Sequence, residues 1–163
     1  MKIVALALMC LAATTFAADQ GPVTSQSFVA TASMASMFEV EAGKLAQSRA
    51  GSAQVKSYGQ RMMSDHGAVN AQLEKLVASS YAVPRQLDAE YQEKLDVLKG
   101  LQGEEFDMAY GKDMTQGQEQ AIELFTKASK SAQVSPALQS FAVKTLPTLH
   151  EHGKIAMGLP GAH

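Results

Sequence analysis

The sequence predicts an all-α protein, an antiparallel four-helix bundle with one additional short crossover helix. Helix-favouring residues such as alanine, leucine, glutamine and glutamate are abundant, and tryptophan is absent. No stretch alternates apolar and polar residues for long enough to predict a strand. Four long segments instead repeat apolar residues at the three-and-four spacing of an amphipathic helix, and brief loops join them.

Residues 1–17 are predicted to be a secretory signal peptide. A lysine precedes the apolar run Ile3–Ala13, which is too short to span a bilayer, and small residues then lead to a cleavage site after Ala17. We therefore expect export to the periplasm or association with the outer membrane. The single cysteine, Cys10, lies in this segment, and Met9 before it argues against lipid attachment.

Residues 18–163 are predicted to form one helical-bundle domain with its core at about 24–159. This part has no cysteine, which excludes disulfides and thiolate metal sites. The formal net charge of the full chain is −2 and no Lys/Arg cluster is present, so nucleic acid is not an expected partner. No apolar run is long enough for a transmembrane segment in the mature chain. Protein partners are not indicated.

The first two helices are predicted to be antiparallel neighbours. Thr24 or Ser25 can cap the first helix, which runs to about Ala50. Gly51 ends it and Ser52 caps the second. So short a connection brings the two helices side by side.

The later helices follow from their own start and stop signals. The second helix is expected to end near Tyr81, because Pro84 disfavours helical geometry in the residue before it. A short helix covers about 86–99, and the third long helix covers about 104–131. The last opens at Ser135-Pro136, and the proline inside it, at position 147, predicts a kink. Residues 159–163 are expected to be a loose tail.

Three polar residues fall on the predicted inner faces of helices. His66 interrupts the apolar stripe of the second helix, between Met62 and Val69. Glu39 lies on the inner face of the first helix, and His152 on that of the last. Such positions normally hold core hydrophobes, so the three residues are the candidate functional site.

Two interpretations of these residues are open. In the first, each histidine is a packed core residue bonded to a carbonyl or to a carboxylate such as Glu39 or Asp65. In the second, Glu39, His66 and His152 converge on a transition metal such as copper or zinc, with Asp65 and Met62 as accessory ligands. Thioether and imidazole ligands together favour Cu(I). A b-type haem held by Met34 or Met37 and His152 is a further alternative.

The sequence supports no catalytic site. A di-iron ferroxidase needs a Glu-x-x-His pair on each of two helices, and the chain contains none. No Gly-x-Ser-x-Gly, cysteine nucleophile or phosphate-binding glycine loop is present after the signal segment.

Several separated motifs also carry a family resemblance. They are Phe38-Glu39-Val40-Glu41-x-Gly43-Lys44-Leu45-Ala46, Met62-Met63-x-Asp65-His66, Leu101-x-Gly103-x-x-Phe106-Asp107-x-x-Tyr110, Ala121-x-x-Leu124-Phe125 and Leu146-Pro147-x-Leu149-x-x-His152. From about Phe28 to Leu159 the chain resembles a large family of exported bacterial proteins. It is the domain-of-unknown-function family four-one-four-two, often labelled "predicted outer membrane protein".

The resemblance implies a ferritin-like helical bundle and leaves the activity open. The family pattern has a histidine in the third long helix, at the position of Gln118 here, so this chain has lost one candidate ligand. We therefore expect an exported metal-binding or stress-related periplasmic protein with a polar core site. The alternative is a structural or interaction module whose core histidines only pack.

Overall fold

The computed structural model describes residues 22–78 and 80–163, so the predicted signal peptide lies outside the described residues. The described residues form five α-helices, which are α1 (Ser25–Arg49), α2 (Ala53–Val77), α3 (Ala89–Gly100), α4 (Gly103–Lys130) and α5 (Pro136–Ala156). The predicted all-α bundle with four long helices and one short helix is confirmed. Its likeness to ferritin-like bundles stays a prediction.

The bundle is built from two helical hairpins. α1 packs most extensively on α2, and α4 on α5, while α1 also contacts α4 and α2 contacts α5. Ala50, at the end of α1, forms an isolated backbone bridge with Gly103, where α4 begins. α4 therefore starts at the end of the bundle where α2 also starts, and the chain must return there after α2. The loop after α2 and the short helix α3 make that return, and α3 packs on α1 and α4.

Side-chain caps set the start of each of the first three helices. Thr24 caps α1 in a capping box with Ser27, Ser52 caps α2, and Asp88 accepts from the backbone N–H of Tyr91 in α3. The backbone N–H groups of Gly51 and Ser52 also donate to the carboxylate of Asp107, at 3.2 and 2.8 Å. That buried carboxylate ties the start of α2 to α4.

The second helix is shorter than expected. It ends at Val77 rather than near Tyr81, because Ala78 takes φ +45° and leaves the helical region of the backbone. Near this end Leu73 and Val77 are buried, while Leu76 is exposed. The boundary prediction was based on Pro84, seven residues beyond the observed end.

The end of the chain differs from the expected loose tail. Leu159 is buried, and the carbonyl of Gly158 accepts a hydrogen bond from Gln54 at 3.1 Å. Glycine is required on the facing helix, since a Cβ at Gly111 would lie 1.8 Å from the carbonyl oxygen of Pro160. The tail is therefore docked against α4. The helix before it runs through Pro147 and keeps His152 buried, as expected.

The apolar core consists of two clusters at opposite ends of the bundle. The cluster near the start of α2 contains Phe38, Tyr58, Phe106 and Tyr110, and the other contains Phe28 and Phe125 with further apolar residues. Buried polar residues lie on each of the four long helices, among them Ser36, Glu39, His66, Gln118 and His152. Among the described residues, no helix is both long and apolar enough to cross a membrane.

Candidate functional site

The four long helices each contribute one strongly polar side chain to a buried group that we call the polar layer. Its members are Glu39 of α1, His66 of α2, Gln118 of α4 and His152 of α5, and none is more than 2 % exposed. Amphipathic spacing placed three of them on inner faces. Buried polar groups require partners, so their contacts define what the layer can do.

Glu39 and His66 form the central pair of the polar layer. Oε2 of Glu39 lies 2.6 Å from Nδ1 of His66, and Oγ of Ser36 lies 3.3 Å from the same nitrogen. A separation of 2.6 Å is that of a hydrogen bond from a protonated Nδ1 to the carboxylate, so His66 is the partner of Oε2. With its proton on Nδ1, the neutral ring presents Nε2 as an acceptor.

Gln118 connects this pair to the rest of the layer. Its amide nitrogen Nε2 donates to Oε1 of Glu39 at 2.8 Å and lies 3.6 Å from the sulfur of Met62. The same nitrogen is 3.4 Å from Nε2 of His66. An amide nitrogen only donates hydrogen bonds, so its three neighbours act as acceptors. A carboxylate oxygen, a thioether sulfur and an imidazole nitrogen thus all face the position of Nε2 of Gln118.

His152 has a different partner. Its Nε2 lies 2.8 Å from Oδ2 of Asp65, which is also 3.5 Å from Nε of Arg61. Burial lowers the pKa of His152, and the hydrogen bond that His152 donates to Asp65 opposes that shift. The rings of His152 and His66 are neighbours, with centroids 5.3 Å apart. The layer thus contains two carboxylate–histidine pairs side by side.

Several polar atoms of this region have no partner among the described residues. They are Oε1 of Gln118, Nδ1 of His152 and the hydroxyl of Tyr110. A buried polar atom left unpaired costs free energy, and native proteins usually satisfy it with water, an ion or a ligand. Three such atoms in and beside one layer leave hydrogen-bonding capacity for an additional polar group.

Two tyrosines border the layer on the side of the Phe106 cluster. The hydroxyl of Tyr58 donates to the carbonyl oxygen of His152 at 3.3 Å, and the ring of Tyr58 packs edge-on against Tyr110. Burial, and secondarily the charge of Glu39, raise the pKa of both phenols far above its ordinary value. Both phenols are therefore neutral, and they add no charge beside Glu39.

An open groove leads from the surface to the polar layer. It lies between α1 and α4, has a volume of about 1340 Å³, and includes Glu39 and His66 in its lining. Gly117 on α4 adds no side chain beside the carboxylate, since a Cβ there would lie 3.7 Å from Oε1 of Glu39. Glu39 and His66 therefore lie at the inner side of this groove, where each is only 2 % exposed.

The structure brings the predicted residues together only in part. Glu39, His66 and Met62 surround one point, whereas His152 is a neighbour engaged by Asp65. Among the described residues, no group of three or more histidine, cysteine, aspartate and glutamate side chains is arranged to hold a metal ion. Metal binding by Glu39, His66 and His152 therefore stays a prediction. The pairings expected of packed core histidines, with Glu39 and with Asp65, are both present.

Sequence reasoning treated position 118 only as a departure from a family pattern. Gln118 is fully buried and contacts three members of the site. Helical spacing could have identified it as a buried residue. Gln118 lies four residues after Met114 and three before Ala121, and both of these are on the apolar stripe of α4. A glutamine on such a stripe is a buried polar residue in the same sense as His66.

Comparison with known families decides the identity of the chain. The family model described as "Domain of unknown function (DUF4142)" matches residues 11–159. The chain belongs to this family. No curated protein and no solved structure matches the chain.

Membership of the DUF4142 family agrees with the motif resemblance found in the sequence. Two of the motifs, around Glu39 and around Asp65-His66, supply α1 and α2 residues of the layer, and a third ends at His152. The motif residues of this DUF4142 chain thus meet in one place, although they are far apart in sequence.

Proposed function

We propose that this DUF4142 protein is exported and binds a transition-metal ion in the polar layer, with Glu39 and His66 as its principal ligands. The observation that carries the proposal is the convergence of Oε1 of Glu39 and Nε2 of His66 on one buried point. Carboxylate and imidazole are common ligands of first-row transition metals.

The surroundings of the two ligands support the same proposal. The groove between α1 and α4 gives an ion access to Glu39 and His66 without unfolding of the bundle. Glu39 and Ser36 contact Nδ1 of His66 and so orient its ring with Nε2 toward the site. His152, held by Asp65, places a second imidazole beside that ring.

Metal content of the exported protein tests the proposal. The protein is purified from the periplasmic fraction, and its copper and zinc are measured by elemental analysis for wild type, Glu39→Gln, His66→Gln and His152→Gln. We expect bound metal in wild type and its loss in the first two variants. His150→Gln is the matched control, because His150 is an exposed histidine of the same helix as His152.

The competing function is a structural module in which the two histidines only pack. The two carboxylate–histidine pairs favour it. It predicts that Glu39→Gln and His66→Gln lower the melting temperature and that no bound metal is found in any variant. Wild-type protein free of metal, and unable to take it up in titration, would contradict the metal-binding proposal.

Export is tested separately. The signal peptide proposed for residues 1–17 should be removed after Ala17, which leaves Ala18 at the mature N-terminus. Mass spectrometry of the protein from fractionated cells measures this mass directly. Retention of Met1 or a lipid on Cys10 would contradict the proposal.

A further inference from the structure

The point on which the layer converges is filled by a side chain of the protein itself. We propose that the amide nitrogen of Gln118 occupies the position of the metal ion, that a bound ion displaces this amide, and that the ion is soft and monovalent, of the Cu(I) class. The inference rests on the proposed function and adds to it the identity of the ion and a residue that controls its affinity.

The first argument is geometric. Nε2 of Gln118 has three acceptors around it, namely Oε1 of Glu39 at 2.8 Å, Nε2 of His66 at 3.4 Å and the sulfur of Met62 at 3.6 Å. The amide carries only two hydrogens, so it cannot satisfy all three acceptors. A cation at the same point can bind all three acceptors. Metal–ligand bonds are about 2.0–2.3 Å long, so each donor atom would have to move inward by only roughly 1 Å.

The second argument concerns Gln118 itself. Its other amide atom, Oε1, is buried without a hydrogen-bond partner among the described residues. The hydrogen bonds of the side chain are therefore those of Nε2 alone. An ion that replaces Nε2 breaks its hydrogen bond to Glu39 and its longer contacts with His66 and Met62, and no hydrogen bond of Oε1 has to be broken.

The third argument is the chemistry of the donors. One thioether, one imidazole and one carboxylate form a mixed set in which the thioether favours a soft ion. The charge of the donor set favours a monovalent ion. Glu39 is the acidic ligand at this point, while Asp65 already pairs with Arg61 and His152. A monovalent ion neutralises one carboxylate, whereas a divalent ion leaves a net positive charge buried in the core.

Titration of the purified mature protein with Cu(I), without oxygen and against a chromophoric chelator of known affinity, tests the displacement. Gln118→Ala removes the competing amide, so we expect Cu(I) to bind at least tenfold more tightly, which corresponds to about 1.4 kcal/mol. Unchanged or weaker binding in Gln118→Ala contradicts displacement. Weaker binding specifically means that Gln118 is a ligand through Oε1.

A second variant tests the charge argument. Gln118→Glu has nearly the same shape but replaces the donor by an acceptor and adds a negative charge. We expect it to raise the affinity for Zn(II) more than that for Cu(I), because two carboxylates neutralise a divalent ion. An unchanged ratio of the two affinities contradicts the charge argument. Circular dichroism melts confirm that each variant is folded.

Met62→Leu tests the choice of a soft ion, with Met63→Leu as its control. Met63 is the next residue and lies against Gly43 of α1, away from the site. We expect Met62→Leu to weaken Cu(I) binding at least tenfold with little change for Zn(II), and Met63→Leu to change neither. If Zn(II) binds through Glu39 and His66 while Met62→Leu has no effect on Cu(I), this inference fails and the proposed function stands. If neither ion binds, both fail.

Discussion

At the scale of single residues, three acidic side chains are removed from water to different extents. They are Glu39, Asp107 and the half-buried Asp113. Asp107 is compensated by two backbone N–H donors at the start of α2, and Glu39 by Gln118 and His66. Asp113 differs, because burial raises the pKa of its carboxyl above the ordinary value of 3.8, against the weaker opposing effects of Lys94 and Lys112.

Asp113→Asn should therefore stabilise the protein at neutral pH. The folded-state pKa of Asp113 is raised, so the folded state holds the proton more tightly, and stability falls as pH rises from about 3.8 through the raised pKa. Asparagine removes this loss. We expect a higher melting temperature at pH 7 and no difference from wild type near pH 3.

Asp96→Asn is the control for this pH dependence. Asp96 is exposed, and its hydrogen bond with Lys99 lowers the pKa of its carboxyl. Its replacement should not raise the melting temperature at pH 7. A stabilisation of equal size in both variants would mean that reduced net charge, not the burial of Asp113, is the cause.

At the scale of helices, close contact between α1 and α2 depends on two glycines. A Cβ at Gly43 would lie 2.6 Å from the carbonyl oxygen of Gly59, and a Cβ at Gly59 would lie 2.7 Å from Cβ of Ala46. Both distances are shorter than atoms tolerate, so the backbones approach each other because side chains are absent. This close approach sets the spacing of the hairpin that carries Glu39 and His66.

Gly43→Ala and Gly59→Ala should each lower the free energy of unfolding by about 1–3 kcal/mol, since the helices must separate to admit a methyl group. Gly67→Ala is the matched control within α2. A Cβ at Gly67 meets nothing within 4 Å, so alanine there should stabilise the helix by about 0.5–1 kcal/mol. Urea denaturation measures all three. Stabilisation by Gly43→Ala would show that the helices are not in contact there.

At the scale of the whole molecule, the two ends of the described part of the chain are linked to the bundle by different contacts. Near its beginning, Ser25 and Val23 bond to the loop between α4 and α5 through Gln133 and Ser131. Near the C-terminal end, Leu159 packs into the cluster that contains Phe106. The second contact closes the end of the bundle at which α2 and α4 begin.

Deletion of residues 159–163 should destabilise the protein by about 1.5–3 kcal/mol, the value of burying one leucine side chain. Deletion of His163 alone is the control, because that residue is exposed and lies beyond the docked segment. Urea midpoints of the two truncated proteins give the comparison. Equal midpoints would indicate that the tail contributes no packing.

The sequence alone determined the class of fold, the approximate helices and the inner faces that carry Glu39, His66 and His152. These features depend on local chemistry, because apolar periodicity and capping residues act within a few turns of one helix. The early end of α2 was missed, since Ala78 adopts a positive φ that no nearby residue type predicts. Docking of the tail was missed because its partner, Gly111, lies far away in sequence.

Only the tertiary structure decided which polar residues meet. Helical spacing states the direction in which a side chain leaves its own helix, but not the height or rotamer of the side chain that faces it from another helix. His152 therefore pairs with Asp65, which adjoins His66 in sequence, while His66 pairs with Glu39. Gln118 became central for the same reason, because its three contacts come from residues more than 50 positions away that only the packed bundle brings together.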